Sequence, residues 1–300
     1  MPLKDLPRPK AGSAFYRAHG LGNDYVIFDE GDAWTLTPKA VERVCDRYFG
    51  MGSDGLVLLL KDRSDGVFRL RMFNPDGGEF ERSGNGLRCL GSYLAYKGWV
   101  DRRPFVIEVA GDRIPMTVHA VASGIHDISV DMGQVAIGPA AVALDPAALD
   151  KDGRLPGPDG RPLDITAVCV GNPHVVVWSD HPTMEELKVV GPFVATHPAI
   201  ANGTNMQLAK VVGSRECRAL IWERGVGHTW ASGTSSCAVA TAAVVRKAVE
   251  PGLITVHLEG GDLRVNVTDD LRVELRGPVE EVAEGTLTPA FVANLAGLGA

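Results

Sequence analysis

Short apolar runs and helical periods alternate along this chain in one order that occurs twice. In the first half, "YVIFD" (25–29), "LVLLL" (56–60) and "FRLRMFN" (68–74) predict strands. Between the first two, "TPKAVERVCDRYF" (37–49) spaces its apolar residues at helical intervals. "GLRCLGSYLAYKG" (86–98) is apolar nearly all round, which predicts a helix buried on every face. "PFVIEVA" (104–110) and "RIPMTVHAV" (113–121) predict two more strands. The second half repeats the order: strand "HVVVW" (174–178), helical stretch "TMEELKVVGPFVATH" (183–197), strands "TNMQLAKVV" (204–212) and "ECRALIWER" (216–224). Then come the apolar helix "SSCAVATAAVVRKA" (235–248) and strands "LITVHLE" (253–259) and "LRVNVTD" (263–269). Residues 138–163, rich in Pro, Gly and Asp, predict a loop near a domain junction.

The repetition extends to single residues. Asn23 and Asn172, Asn74 and Glu223, and Ser83 and Ser232 each lie 149 positions apart. The Gly-Asp pairs at 111 and 261 match at an offset of 150. One offset across separate blocks predicts two copies of one fold. The expected class is α/β (α+β), two pseudo-symmetric domains, each a barrel-like sheet wrapped around a central helix. The expected boundaries are 13–128 plus 278–300 for the first domain and 129–277 for the second, with 1–12 a mobile tail.

Composition narrows the function. The chain has 300 residues, 45% hydrophobic and 22% charged, enough to bury a core in each of two domains. A net charge of −7 gives no basic footprint for nucleic acid. No apolar run reaches transmembrane length, and no signal peptide opens the chain. Five cysteines without CxxC spacing read as reduced thiols of a cytoplasmic protein. The histidines lack metal-site spacing, so no metal is expected. "GLGND" is an incomplete dinucleotide fingerprint, no GxSxG elbow surrounds either serine, and no lysine stands out for pyridoxal phosphate.

Candidate chemistry gathers at the two repeated serines. "ERSGNGLRC" (81–89) and "WASGTSSCA" (230–238) each place a serine before glycine and a helix start. One reading of Ser83 and Ser232 is a pair of ordinary N-caps. The other is a ligand site in the cleft that pseudo-symmetric domains commonly form. Two helix N-termini there, with unpaired N–H groups and positive dipole ends, would hold a carboxylate or phosphate.

The blocks "HGLGNDYVIFD", "GMGSDGLVLL", "MFNPDGGEFERSGNGLRC", "VGNPHVV", "GTNMQLAKV" and "ERGVGHTWASGTSSCA" together resemble diaminopimelate epimerase, in order and over nearly the whole chain. That resemblance implies a cofactor-independent isomerase of lysine and cell-wall precursor synthesis. It implies two-base inversion at an α-carbon, a small-molecule amino acid substrate and a homodimer. It puts the α-carboxylate on the N–H groups of Gly84, Asn85, Gly233 and Thr234. It makes Asn23, Asn74, Asn172, Asn205 and Arg224 substrate-holding residues, sets Glu223 near the amino group and His174 beside the second catalytic position. The family carries cysteine at both catalytic positions; this chain carries Ser83 and Ser232. Three readings stay open: an inactivated, substrate-trapping form; a serine-bearing racemase of another amino acid, such as histidine, with His174 or Glu223 as base; or an amino acid binder without catalysis. Cys89 and Cys237, on the helices, read as buried core thiols.

Overall fold

The structure, a computed structural model, describes residues 8–80 and 83–298. Its chain divides into two compact units: Met1–Val130 with Pro278–Ala300, and Asp131–Gly277. Residues 1–7 of the expected tail, with Glu81, Arg82 and the last two residues, lie outside the described residues. The rest of that tail departs from expectation. Strand Lys10–Gly20 already includes Lys10, Ala11 and Gly12. The cause is packing: Ala11 is fully buried, and it pairs with Glu30 and Trp34.

In the first unit, Asn23–Glu30 runs parallel to Leu56–Leu59, which is antiparallel to Phe68–Phe73. That strand runs parallel to Phe105–Val109, which is antiparallel to Asp112–Ala122. Ile125–Gln134, Arg272–Thr286 and Lys10–Gly20 continue the pairing back to Asn23–Glu30, so the ladders close in a ring. Tyr25, Val26, Ile27 and Phe28 are all buried, as a parallel strand covered on both faces requires.

On one side of that ring, Phe28 packs with Val41 and Val44 of α1 (Pro38–Cys45) and with Leu295 of the C-terminal helix Pro289–Gly297. α1 stops four residues short of the expected Phe49. The Asp46 carboxylate accepts the N–H groups of Tyr48 and Phe49, both at 2.7 Å, which offers the backbone an alternative to the helix. On the other side, α2 (Gly84–Tyr96) buries Leu87, Leu90 and Leu94 completely. Each contributes about 1.5–3 kcal/mol by leaving water.

The second unit repeats the ladder. Pro173–Trp178 runs parallel to Asn205–Gly213, which is antiparallel to Glu216–Glu223. That strand is parallel to Gly252–Leu258, itself antiparallel to Gly261–Val267. Of its helices, α3 (Met184–Ala195) lies where α1 lies in the first repeat. α4 (Gly233–Val245) begins 149 residues after α2 and is likewise packed inside. The expected loop at 138–163 lies within this unit and is partly structured. It holds short turns at Pro139–Val142 and Pro146–Ala148 and the two-residue pairing of Leu155–Pro156 with Pro162–Leu163. Val142, Leu144 and Leu155 pin it to the core beside Val175 and Leu187. Among the described residues, no helix is long and apolar enough to cross a membrane.

Candidate active site

Each unit sets its candidate residues around one helix N-terminus. In the first unit, Ser83 has extended backbone and its Oγ accepts the Gly86 N–H at 3.1 Å, capping α2. The same Oγ accepts a 3.0 Å hydrogen bond from the Tyr25 hydroxyl. The N–H groups of Gly84 and Asn85 have no acceptor among the described residues. Asn23 and Asn85 interlock: Asn85 Nδ2 donates to Asn23 Oδ1 and to its carbonyl, both at 2.7 Å. Asn85 Oδ1 accepts from the buried Arg88 at 2.6 Å, so its side chain is committed to the protein.

Asn23 Nδ2 in turn donates to Asp54 at 2.9 Å. Arg47 bridges Asp54 and the buried Asp24, and Arg17 donates to Asp24 as well. Burial opposes ionisation of Asp24. The hydrogen bonds from Arg47 and Arg17 outweigh it and hold the carboxyl below its ordinary range. Asn74 stands exposed in the turn after Phe73, where its N–H bonds Gly78 O. Gly77 in that turn has φ +79°, and a Cβ there would lie 2.3 Å from the backbone of Pro38.

In the second unit, Ser232 has the same extended backbone, but its side chain makes no cap hydrogen bond. The Ser236 N–H and hydroxyl both bond the Ser232 carbonyl, at 3.1 and 2.9 Å. The N–H groups of Gly233, Thr234 and Ser235 have no acceptor among the described residues, which is the anion-binding state of a helix start. A Cβ at Gly233 would stand 2.6 Å from Leu275 Cδ2, so a larger residue there would have to displace that leucine.

His174 is fully buried. Gln207 Nε2 donates to His174 Nδ1 at 3.0 Å, so the proton sits on Nε2, which donates to Asn172 Oδ1 at 2.8 Å. Gln207 Nε2 also donates to Ser235 Oγ at 3.0 Å. Burial pushes the imidazole down to about 3, so it is neutral at physiological pH. Both ring nitrogens are therefore hydrogen-bonded inside the protein. Asn172, held by its oxygen, keeps its NH₂ for a ligand.

Asn205 Nδ2 donates to Pro173 O, and its Oδ1 accepts the Arg224 N–H at 3.0 Å. Arg224 is exposed and spends Nη1 on the Asn202 and Gly203 carbonyls, which leaves the rest of its fork available. Glu223, half-buried, ends its strand opposite Gly227. His228 pairs with Glu259, and Trp230 is 67% exposed. Cys89 and Cys237 are fully buried, and burial holds the Cys89 thiol up at about 12.

A profile of the diaminopimelate epimerase family matches residues 15–137 and 166–282, leaving out the Pro/Gly/Asp-rich segment and both ends of the chain. The diaminopimelate epimerase of Pelotomaculum thermopropionicum is 37% identical over 276 residues, 90% of this chain and 97% of that protein. That of Desulfitobacterium hafniense is 35% identical over 276 residues, 90% and 96% of the two chains. This chain belongs to the diaminopimelate epimerase family.

The fold of this diaminopimelate epimerase family member is shared more widely. A hydroxyproline epimerase from Agrobacterium vitis, solved with trans-4-hydroxy-L-proline, superposes with a TM-score of 0.65 at 12% identity over 94% of this chain and 92% of that one. A PhzF-family phenazine biosynthesis protein from Bacillus anthracis gives 0.65 at 16% identity over 94% and 100%. Within the candidate site, sequence reasoning missed Tyr25, Asp54, Gln207 and Ser235. The first and third sit in apolar strand runs and read there as core; only a polar group in a run buried on both faces could have drawn attention to them.

Proposed function

We propose that this chain binds diaminopimelate and is built to interconvert its LL and meso forms by two-base proton transfer, in lysine and peptidoglycan precursor synthesis. The observation that carries the reading is the pair of internal helices in a chain of this family, each headed by a serine and by N–H groups with no acceptor among the described residues. In the reaction, an acceptor on one face takes the α-hydrogen as a proton, and its electron pair stays on the α-carbon beside the carboxylate. A donor on the other face supplies the proton of the new C–H bond. Ser83 and Ser232 occupy those two positions. The N–H groups of Gly84, Asn85, Gly233 and Thr234 take the α-carboxylate. Asn172 and Arg224 supply donors suited to a distal carboxylate, with Asn23, Asn74 and Asn205 around them and Glu223 toward the amino group.

Serine makes the chain slow. A thiol of ordinary pKa about 8.5 can be tuned toward neutrality, whereas a hydroxyl usually needs an adjacent base. A helix N-terminus supplies roughly 0.3–2 kcal/mol, about one pKa unit. No histidine or carboxylate bonds either serine side chain among the described residues: Ser83 meets Tyr25 and a backbone N–H, and Ser232 Oγ meets neither. This favours a chain that holds its substrate intact. We extend the reading to a cytoplasmic homodimer, consistent with five cysteines that form no disulfide and with the commonest oligomeric assembly.

The test is α-proton exchange from deuterated water. The native chain is expected to exchange LL- and meso-diaminopimelate slowly or not at all. The Ser83→Cys, Ser232→Cys form is expected to be faster by about 10²–10⁴, the usual range for a positioned proton-transfer group. A double-cysteine form inert on both stereoisomers overturns the reading.

A further inference from the structure

Ser83 and Ser232 correspond in the repeat, yet their hydroxyls are not in the same state. A hydroxyl has one proton and two lone pairs. At Ser83 the Gly86 N–H takes one lone pair at 3.1 Å and the Tyr25 O–H takes the other at 3.0 Å. With both acceptor positions filled, the neutral Ser83 hydroxyl is left one action, which is to donate. Ser232 Oγ receives neither bond and keeps both lone pairs.

The Tyr25 phenol is held in place by its surroundings. Its strand residue pairs with Ala18, and the side chain is 5% exposed. The ring lies against two glycines: a Cβ at Gly55 would stand 2.4 Å from Tyr25 Cε1, and a Cβ at Gly86 would stand 2.9 Å from the same atom. The ring thus fills the space of two missing side chains and delivers its hydroxyl to the first turn of α2, beside the N–H groups of Gly84 and Asn85, which have no acceptor among the described residues.

We propose that Tyr25 is a positioning residue that fixes Ser83 as a hydrogen-bond donor toward the substrate carboxylate. The two serine hydroxyls therefore differ in their surroundings: Ser83 Oγ receives two hydrogen bonds, and Ser232 Oγ receives neither. The substrate carboxylate rests on the function proposed above; the Tyr25–Ser83 bond itself does not.

The experiment separates these two. In a Ser83→Cys background, the thiol is titrated without substrate by the ultraviolet absorbance of its thiolate, with Tyr25 present and with Tyr25→Phe. Phenylalanine keeps the ring in its slot and removes only the hydroxyl. A donor aimed at a thiolate lowers its pKa, so Tyr25→Phe is expected to raise the pKa at position 83 by about one to two units. Gly55→Ala, which pushes the ring, is expected to shift it in the same direction. The native thiols Cys45, Cys89 and Cys217, held up at about 12 by burial, stay silent, and subtraction of the parent chain removes the rest. An unchanged thiol pKa on Tyr25→Phe overturns the proposal, because a role in packing alone predicts no shift.

A second arm uses the native chain and calorimetry with meso-diaminopimelate. Tyr25→Phe is expected to weaken binding about fivefold or more at an unchanged melting temperature. A thiol shift with unchanged binding overturns the donor assignment. If the native chain binds no diaminopimelate, the proposed function fails, and the thiol titration still decides the role of Tyr25.

Discussion

His174 Nε2 donates to Asn172 Oδ1 over 2.8 Å, and that bond decides which end of the Asn172 amide is left for a ligand. The bond requires a neutral ring, and burial keeps the folded pKa near 3 against an ordinary 6.5. Between those values the unfolded chain binds the proton and the folded chain does not. Stability from this residue is therefore full above about pH 6.5 and is lost as pH falls toward 3. From pH 7 to pH 5 the loss is about 2 kcal/mol, at 1.36 kcal/mol per unit once the unfolded ring titrates. Urea denaturation at both pH values should show this loss in the native chain and a correspondingly smaller one in His174→Gln. Equal losses in the two would mean that the ring is charged when folded.

Arg224 holds two loop carbonyls through Nη1 and has the rest of its fork free. A fork–carboxylate pair predicts that Arg224→Ala weakens diaminopimelate binding by about 1.5–3 kcal/mol, roughly 10- to 150-fold. Calorimetry against a mono-carboxylate amino acid supplies the contrast, since that ligand should lose little. Unchanged diaminopimelate affinity would favour a racemase of a different amino acid.

Asp24 is buried and shared by Arg17 and Arg47. Asp24→Asn leaves two guanidinium groups facing a neutral amide, and removing one partner of a buried pair costs about 3–5 kcal/mol. Arg47 is half exposed, so the lower end is expected. The carboxyl lies below its ordinary value when folded, so its contribution is present above about pH 4 and disappears as pH falls through the folded pKa. Acid denaturation of Asp24→Asn should lack that part of the transition.

Gly77 has φ +79°, and a Cβ there would press on Pro38 at the start of α1. Gly77→Ala should destabilise the chain by more than about 1 kcal/mol, the ordinary cost of a strained backbone position, read as a lower melting temperature. Gly66→Ala, also at positive φ but with open space around it, is the milder control.

The two halves of the fold were legible because the repeat and the apolar periods agree. "GLRCLGSYLAYKG" and "SSCAVATAAVVRKA" became the internal helices α2 and α4, and each apolar run of the ladder became a strand in the expected order. What escaped was set by side chains reaching across the fold. α1 ended early because Asp46 captured two N–H groups, a competition that helical periodicity does not register. Ser232 resembles Ser83 in sequence, but only Ser83 caps its helix. Gln207 meets His174 from 33 positions away, and Tyr25 meets Ser83 from 58. In "YVIFD" and "NMQLA" nothing local marks which polar group is aimed at a partner.

The ladder of the first unit closes through Arg272–Thr286, where Ala14 pairs with Thr286 and His19 with Glu280. The second unit is a single uninterrupted stretch, Asp131–Gly277. During synthesis the part made later can therefore finish folding first, while the part made earlier waits for the chain's final strand and the helix behind it. A ribosome that stalls near the end leaves an otherwise finished second half attached to an open first half. Its unpaired strand edges and uncovered apolar residues are what a chaperone binds and what aggregation begins from.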